Sequence, residues 1–232
     1  MVSPSHMKVF KMKKAVGDVY WTLRSRDIAV LVLVLFGVLA ALTASAAAFP
    51  DNSLDMAVNE FFEGIHGTFL DEVMYGITIL GSIGGVLLLM AAVVFILGRN
   101  NAWLDAAVSV VAVGGAQLVK EVMKSAIRRA RPENAIIHAE GFSFPSGHAT
   151  AAAAVAVVLV FVLGKHLKGR TKKTVEWFAV AYGVMVGFSR IFLNVHWLSD
   201  VMAGFALGAG WSFLMMLVSS PVYKKQKEAL EG

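Results

Sequence analysis

The stretch "VLLLMAAVVFILGRNNAWLDAAVSVVAVGG", residues 86–115, decides the fold class of this chain. It holds two apolar runs that are separated by the polar turn "GRNNA" at 98–102. A helix that crosses the hydrocarbon core of a bilayer needs about 20 consecutive apolar residues. Because the turn is so short, the two runs predict two antiparallel membrane-spanning helices that form a hairpin.

The rest of the chain has the same character. Of its 232 residues, 57% are hydrophobic and 16% are charged, and the mean hydropathy is +0.68. In a soluble domain, about a quarter of the residues are charged. The sequence therefore predicts an all-α polytopic membrane protein with six transmembrane helices. It contains no cysteine, which excludes disulfides and thiolate metal sites. The six candidate segments are 28–48, 74–97, 103–123, 149–164, 174–189 and 201–219.

Lysine and arginine gather on one side of these segments. Fifteen of the 21 basic residues lie before the first segment, in the turn at 98–102, in the loop at 165–173 or after the last segment. The loop at 49–73 has acidic residues and no basic one. Since cytoplasmic loops carry an excess of Lys and Arg, both termini are predicted to be cytoplasmic. The net charge of +5 then reflects topology, and we expect a bilayer as partner, not nucleic acid.

The N-terminal region contains two features that concern processing of the chain. Residues 1–7, "MVSPSHM", are typical of a vector-derived extension, which leaves 8–232 as a single six-helix membrane domain. The first apolar segment ends in "ASAAAFP", which resembles a signal-peptide cleavage site. Its apolar run is longer than the one in a usual signal peptide, so we expect this helix to be retained.

Two further patterns concern packing. Apolar residues recur at helical spacing within 49–73, which predicts an interfacial amphipathic helix. Gly81 with Gly85, and Gly204 with Gly208, have the GxxxG spacing that lets two helix backbones approach closely. We interpret both pairs as packing inside the bundle, not as a dimerisation surface.

Six basic residues break the charge bias, because they lie at or near the outer ends of the third and fifth segments. Ionisable groups near a bilayer usually mark a functional site, whereas snorkelling toward lipid phosphates explains only one or two cations. If the third helix persists, Lys124, Arg128 and Arg131 share one face, while Arg129 points toward lipid headgroups. Glu121 can pair with Lys124 at i+3. A cluster of cations needs an anion, and phosphate fits. The six are Lys120, Lys124, Arg128, Arg129, Arg131 and Arg190.

Residues 141–150, "GFSFPSGHAT", lead into the fourth apolar segment. A helix N-terminus presents unpaired backbone N–H groups and binds anions, and Gly147 lets a ligand approach the backbone closely. Ser146 is suited either to contact that anion or to cap the helix. His148 places one titratable imidazole at the mouth of the segment, where it can meet a lipid headgroup as a general acid.

The third stretch, "SRIFLNVHWLSD" at 189–200, carries a histidine and an aspartate four residues apart. On a helix the Asp200 carboxylate would reach the His196 imidazole, fix its tautomer and raise its basicity. His196 is therefore the predicted nucleophile, and His148, which has no carboxylate of its own, is the predicted acid. Arg190 can join the cation cluster. Two histidines, several cations and a helix N-terminus around one anion predict a phosphoryl-transfer site.

These residues also resemble a known signature. The pattern Lys124-x6-Arg131-Pro132, Pro145-Ser146-Gly147-His148 and Ser189-Arg190-x5-His196-x3-Asp200 is similar to the three-part motif of the type-2 phosphatidic acid phosphatase superfamily. The resemblance implies that His196 forms a phosphohistidine supported by Asp200 and that His148 protonates the leaving lipid alcohol. No metal or other cofactor is implied. The groups implied to hold the phosphate are Lys124, Arg131, Ser146, Gly147 and Arg190.

The resemblance also limits the set of activities that we expect. The family includes bacterial phosphatases of phosphatidylglycerol phosphate, phosphatidic acid, undecaprenyl diphosphate and lipid A, and soluble haloperoxidases, against which the membrane segments argue. We expect a metal-independent lipid phosphatase in a bacterial inner membrane, with its site facing the periplasm or exterior. Two alternatives stay open: a transferase that passes the phosphoryl group to another lipid or sugar, and a binder without turnover. A binder predicts a lost catalytic residue, and none is lost.

Overall fold

The computed structural model of the chain describes residues 23–50 and 52–231, so the extension interpreted at 1–7 lies outside the described residues. The described residues form eight α-helices and no β-strand, which confirms the all-α prediction. The sixth helix continues as a π-helical segment, Val158–Leu163, and a short 3-10 turn, Gly164–His166. The helices are α1 (Ser25–Ala48), α2 (Ser53–Glu63), α3 (Phe69–Leu80), α4 (Ile83–Arg99), α5 (Trp103–Ile127), α6 (Gly147–Val157), α7 (Gly169–Phe192) and α8 (Leu198–Glu231).

The predicted membrane segments correspond to these helices. Helices α1, α5, α6 with its continuation, α7 and α8 are each long and apolar enough to cross a bilayer. Helices α3 and α4 meet at a bend of 48° and make a sixth span only when they are taken together. The second predicted segment, 74–97, is therefore a broken span and not one straight helix.

The break between α3 and α4 has a local and a tertiary cause. The Ser82 hydroxyl accepts a hydrogen bond from the Gly85 N–H at 3.3 Å and so caps the start of α4. Gly81 ends α3 where α7 passes closely, because a Cβ there would lie 2.3 Å from Cγ1 of Val186. Gly81 and Gly85 thus belong to different helices, and the interpretation of this pair as one GxxxG motif was wrong.

Helix α8 is the centre of the bundle and packs against α1, α5 and α6. A Cβ on Gly204 would lie 2.7 Å from the Ser146 carbonyl oxygen, and one on Gly208 would lie 2.2 Å from that of Thr150. Only glycine allows α6 to approach α8 this closely, which confirms that this pair packs inside the bundle. The contact fixes the start of α6, with its histidine, relative to the start of α8, with its aspartate.

The segment at 49–73 contains one short helix, as predicted, although its last residues already belong to α3. Helix α2 begins at an Asn52 cap, whose side-chain oxygen accepts from the Asp55 N–H at 3.0 Å. Its outer surface exposes Leu54, Met56 and Phe61, while Asp55 is buried against the bundle. An amphipathic helix therefore closes the same end of the bundle at which the motif residues lie.

The opposite end of the bundle is closed by a polar cluster around Asp105. Its carboxylate accepts hydrogen bonds from Lys165 and Tyr223, and it lies 2.6 Å from Nε2 of His166. These contacts join the start of α5 to the end of the fourth span and the C-terminal part of α8. Asp105 and His166 therefore lie far along the bundle from the motif residues.

Candidate active site

Three segments converge at one end of the bundle: the loop after α5, the start of α6 and the connection between α7 and α8. Together with α3 and α4 they enclose a cavity of about 800 Å³. Six of the eight predicted site residues line it, and the other two, Ser146 and Asp200, lie behind its wall. The six are Lys124, Arg131, Gly147, His148, Arg190 and His196.

The loop between α7 and α8 places His196. Asn194 takes the left-handed conformation, with φ of 52°, which turns the chain back toward α7. The N–H groups of Val195 and His196 then donate to the Arg190 carbonyl at 3.2 and 3.3 Å. Because α8 begins at Leu198, His196 precedes this helix and does not lie on it. The predicted i to i+4 contact nevertheless forms, since the first turn of α8 brings Asp200 back beside the imidazole.

The contacts of the imidazole identify its tautomer. Nε2 of His196 lies 3.1 Å from Nη1 of Arg131. A guanidinium has donors only, so Nε2 must be the unprotonated acceptor and Nδ1 must carry the hydrogen. Burial lowers the pKa of the His196 imidazole to about 3, with the neighbouring Asp200 acting in the opposite direction. The ring is therefore neutral at pH 7, and its unprotonated nitrogen lies beside Arg131, which also lines the cavity.

Behind the ring, Ser143 and Asp200 share the Nδ1 hydrogen. Nδ1 lies 3.2 Å from the Ser143 hydroxyl oxygen and 3.5 Å from Oδ2 of Asp200. The Ser143 hydroxyl donates to the same Oδ2, so it bridges the imidazole and the carboxylate. Sequence reasoning missed Ser143. Its signal was its position inside the turn-forming stretch 141–150, where a serine five residues before His148 was treated as part of the turn.

The Asp200 carboxylate is fully buried and receives several donors. The Trp197 N–H donates to Oδ2 at 3.0 Å, and Nη1 of Arg129 donates to Oδ1 at 2.8 Å. The Asp200 carbonyl accepts from the Ser146 N–H at 3.0 Å, which ties the second motif to the third. Arg129 was expected to contact lipid headgroups, and this was wrong, because its side chain is only 1% exposed and forms this ion pair.

The reason for the error at Arg129 is the end of α5. The helix stops at Ile127, and Arg128 takes the left-handed conformation, with φ of 54°. A shared helical face for Lys124, Arg128 and Arg131 was therefore wrong as well. Arg128 is partly exposed and its Nε donates to the Ser125 carbonyl at 3.0 Å.

Arg131 reaches the cavity through the loop instead of along a helix. Its guanidinium donates to the carbonyls of Glu140 at 2.9 Å, Gly141 at 3.0 Å and Val195 at 2.7 Å. Burial lowers the pKa of this guanidinium, while the nearby Asp200 acts in the opposite direction. Lys124 donates to the Phe142 carbonyl of the same loop. Two cations of the cavity are thus held by backbone carbonyls of residues 140–142.

A fourth cation, Lys120, also lines the cavity and was given no role from the sequence. Its side chain lies over the start of α6, since a Cβ on Gly147 would be 3.5 Å from Nζ. Lys120 pairs with Glu121, so the expected pairing of Glu121 with Lys124 was wrong. The available signal was spacing, because Lys120 precedes Lys124 by one helical turn and faces the same way.

The start of α6 presents Gly147 and His148 to the cavity. Ser146 is fully buried, and its hydroxyl oxygen accepts from the Ala149 N–H at 3.5 Å, so it caps the helix. Its phosphate contact remains a prediction, and its observed contact is the cap. Within the described part of the chain, no protein group hydrogen-bonds the imidazole of His148, which backs onto the glycine at 81. That imidazole is available to a ligand.

Arg190 completes the ring of cations from the last turn of α7. It is buried, and its Nη1 donates to the Thr78 hydroxyl of α3 at 2.7 Å. Among residues 23–50 and 52–231, no group of three or more His, Asp or Glu side chains is arranged to hold a metal ion. The groups in the cavity that can bind an anion are four cationic side chains and the first N–H groups of α6.

Comparison with known proteins agrees with this geometry. Residues 105–224 match the PAP2 superfamily. The chain is 37% identical over 167 residues to phosphatidylglycerophosphatase B of Bacillus subtilis, covering 70% of this chain and 82% of the relative. It is 27% identical over 181 residues to a lipid A 4'-phosphatase of Bacteroides thetaiotaomicron, covering 70% and 76%.

A solved structure extends the likeness to most of the chain. The crystal structure of a transmembrane PAP2-type phosphatidylglycerolphosphate phosphatase from Bacillus subtilis superposes with a TM-score of 0.75 and 34% identity. The match covers 82% of this chain and 96% of the other. The resemblance noted in the three sequence motifs is thereby confirmed at the level of sequence and fold. The chain belongs to the PAP2 superfamily and is an integral membrane phosphatase of that family.

Proposed function

We propose that the chain hydrolyses a phosphomonoester or diphosphate of a membrane lipid through a phosphohistidine formed on His196. The main support for this proposal is the arrangement around the His196 imidazole. The unprotonated Nε2 of His196 opens into a cavity ringed by cations, while the opposite nitrogen is backed by Asp200. This arrangement suits an in-line nucleophile and a developing phosphoryl charge, and a purely binding pocket would not need it.

The reaction follows from the positions of the groups. Nε2 of His196 attacks phosphorus, and the bond from phosphorus to the lipid oxygen breaks as the protonated imidazole of His148 donates a proton to that oxygen. Asp200 stabilises the positive charge that the substituted imidazole acquires. The cations of the cavity neutralise the phosphoryl oxygens. In the second step a water molecule gives a proton to His148 and attacks phosphorus. The bond from phosphorus to Nε2 breaks, and inorganic phosphate and neutral His196 are released.

The cavity also supports a lipid as the substrate. Its wall away from the cations is apolar and is formed by α4 and α5, through residues such as Leu87, Met90 and Val113. A phosphate held at the cations would place an attached hydrocarbon chain along this wall. Because the Bacillus subtilis relative is named a phosphatidylglycerophosphatase, phosphatidylglycerol phosphate is our first candidate substrate. Phosphatidic acid, undecaprenyl diphosphate and lipid A present the same phosphate chemistry and are the competitors to test.

The charge distribution supports an orientation. Lys and Arg dominate the predicted cytoplasmic segments, and the cavity lies at the end of the bundle opposite to Lys165 and Lys168. The positive-inside rule then places both termini in the cytoplasm and the cavity at the periplasmic or exterior face of a bacterial inner membrane. We propose residues 8–232 as one such membrane domain.

The test is phosphate release by detergent-purified protein in the presence of EDTA. Four lipids are compared: phosphatidylglycerol phosphate, phosphatidic acid, undecaprenyl diphosphate and lipid A. We expect release that is unaffected by EDTA and lost in His196→Ala. His66→Ala is the matched control, because this histidine lies between α2 and α3 and does not line the cavity. No release from any lipid would contradict the proposal, and phosphate recovered on a second lipid or sugar would indicate the transferase.

A further inference from the structure

A buried ion network lies behind the catalytic carboxylate and joins it to helix α2. Arg129 places Nη1 2.8 Å from Oδ1 of Asp200 and Nη2 2.8 Å from Oδ2 of Asp55. The three side chains are 0–2% exposed. We call Asp55, Arg129 and Asp200 the buried triad. Asp55 lies 74 residues before Arg129 in the chain, so the triad depends on the tertiary fold and not on any local motif.

Further hydrogen bonds hold the triad in one geometry. Asp55 accepts from the Ser199 N–H at 2.9 Å and from its hydroxyl, and Nη1 of Arg129 donates to the Ser199 hydroxyl oxygen at 2.7 Å. Nη2 of Arg129 also donates to the Pro50 carbonyl. The guanidinium carbon lies 5.4 Å from the centre of the Trp197 ring. Both arms of the guanidinium fork are therefore engaged, and the first turn of α8 is fixed to α2.

The charges of the triad explain why Asp55 is needed. A buried arginine paired with Asp200 alone would largely cancel the negative charge that faces His196. Adding Asp55 leaves the three groups with one negative charge in total, and each buried carboxylate still contacts the Arg129 guanidinium. One negative charge is what the imidazole requires when it becomes cationic during the reaction. None of these three side chains lines the cavity.

We propose that Asp55 and Arg129 are positioning residues for the phosphoryl-transfer step, which act on His196 through Asp200. This inference rests on the proposed phosphatase function. It assigns α2, which lies outside the three signature motifs and outside the matched family region, a part in the reaction. Asp55 and Arg129 hold the Asp200 carboxylate in place and set the net charge behind the imidazole, without contacting the substrate.

The test measures kcat and KM for hydrolysis of dioctanoyl phosphatidic acid by the full-length protein. Asp55→Asn keeps the side-chain shape but makes the triad neutral overall. We expect kcat to fall about 10- to 100-fold, as for groups that orient a reacting residue, with KM within about twofold of wild type. Glu63→Gln is the matched control, since it removes a carboxylate from the same helix whose hydrogen-bond partner among the described side chains is Asn134. It should leave kcat unchanged.

A double-mutant cycle separates positioning from general stability. In an Asp200→Asn background, Asp55→Asn should lower kcat by less than about threefold, because the route through Asp200 is already lost. Should Asp55→Asn not purify as a folded protein, Arg129→Lys replaces it, with the same expected loss in kcat and the same non-additivity. Multiplying effects in the double variant, or an unchanged kcat in the single one, would overturn the inference alone. A wild-type protein that releases no phosphate from any of the four lipids would overturn the proposed function and the inference together.

Discussion

The replacement Asp200→Asn tests the mechanism at its most buried group. The amide keeps the shape of the carboxylate but removes the charge that faces the imidazole. At the observed 3.5 Å between Nδ1 of His196 and Oδ2, and with an effective dielectric constant of about 20, that charge is worth about 5 kcal/mol. Arg129 holds the other carboxylate oxygen at 2.8 Å and takes up part of this interaction. We therefore expect a loss of about 3 kcal/mol, which is about two-hundredfold in kcat.

The same replacement also disturbs the tautomer. Where an amide N–H faces Nδ1, the ring is driven to place its hydrogen on Nε2, and a protonated Nε2 cannot attack phosphorus. Because Asp200 does not line the cavity, KM should stay close to that of the wild type.

Steady-state phosphate release and alkaline-quench trapping of the labelled phosphoenzyme measure the two consequences together. The phosphoenzyme should form slowly in Asp200→Asn, while the thermal midpoint in detergent reports whether the bundle is intact. Asp71→Asn is a suitable control, because this carboxylate also lies 3.3 Å from a histidine nitrogen, that of His66, but does not line the cavity. A kcat for Asp200→Asn within twofold of the wild type, in a protein of unchanged midpoint, would refute a charged partner for His196.

Three further expectations can be measured on the same preparations. Gly208→Ala places a Cβ 2.2 Å from the Thr150 carbonyl oxygen, so overpacking of about 1–3 kcal/mol should lower the thermal midpoint; Gly37→Ala, with nothing within 4 Å, should not. Ser143→Ala removes the bridge between the imidazole and the carboxylate. We expect kcat to fall about tenfold, because one buried hydrogen bond contributes about 1.4 kcal/mol. The folded-state pKa of His196 is lowered from 6.5 to about 3, so the unfolded chain alone binds this proton below pH 6.5. Unfolding monitored by fluorescence should then show stability falling from pH 6.5 toward 3, with a shallower slope in His196→Gln; equal slopes would contradict a buried neutral imidazole.

The spans were predictable because a bilayer imposes a length. Segments such as 103–123 and 149–164 are recognisable from hydropathy alone, and each corresponds to a helix in the fold. The bend between α3 and α4 was not predictable in the same way. The bend depends on the approach of Val186 from α7, which is distant in sequence. From the sequence alone, a glycine at 81 is equally compatible with a continuous helix.

In the site, too, local features could be predicted from the sequence, whereas contacts that depend on the tertiary fold could not. The motif residues could be grouped because each lies at a helix end, and helix ends on one side of a membrane meet. The predicted side-chain orientations were wrong where a single backbone angle decides the direction of the chain. The left-handed Arg128, an unusual conformation for a residue other than glycine, turns Arg129 into the protein and toward Asp55. No periodicity in the sequence relates that arginine to an aspartate in α2.

The backbone carbonyls of residues 140–142 explain how the cavity tolerates its cations. Burying a cation without a partner is costly, and Arg131 and Lys124 meet this requirement by donating to these carbonyls. A bound phosphate must compete with the carbonyls for the same donors. It does so favourably because its oxygens are charged, and charge-assisted hydrogen bonds are roughly twice as strong as neutral ones. A neutral headgroup offers those donors no more than the carbonyls already do. Under the proposed function, this loop therefore makes the site select for anionic lipids.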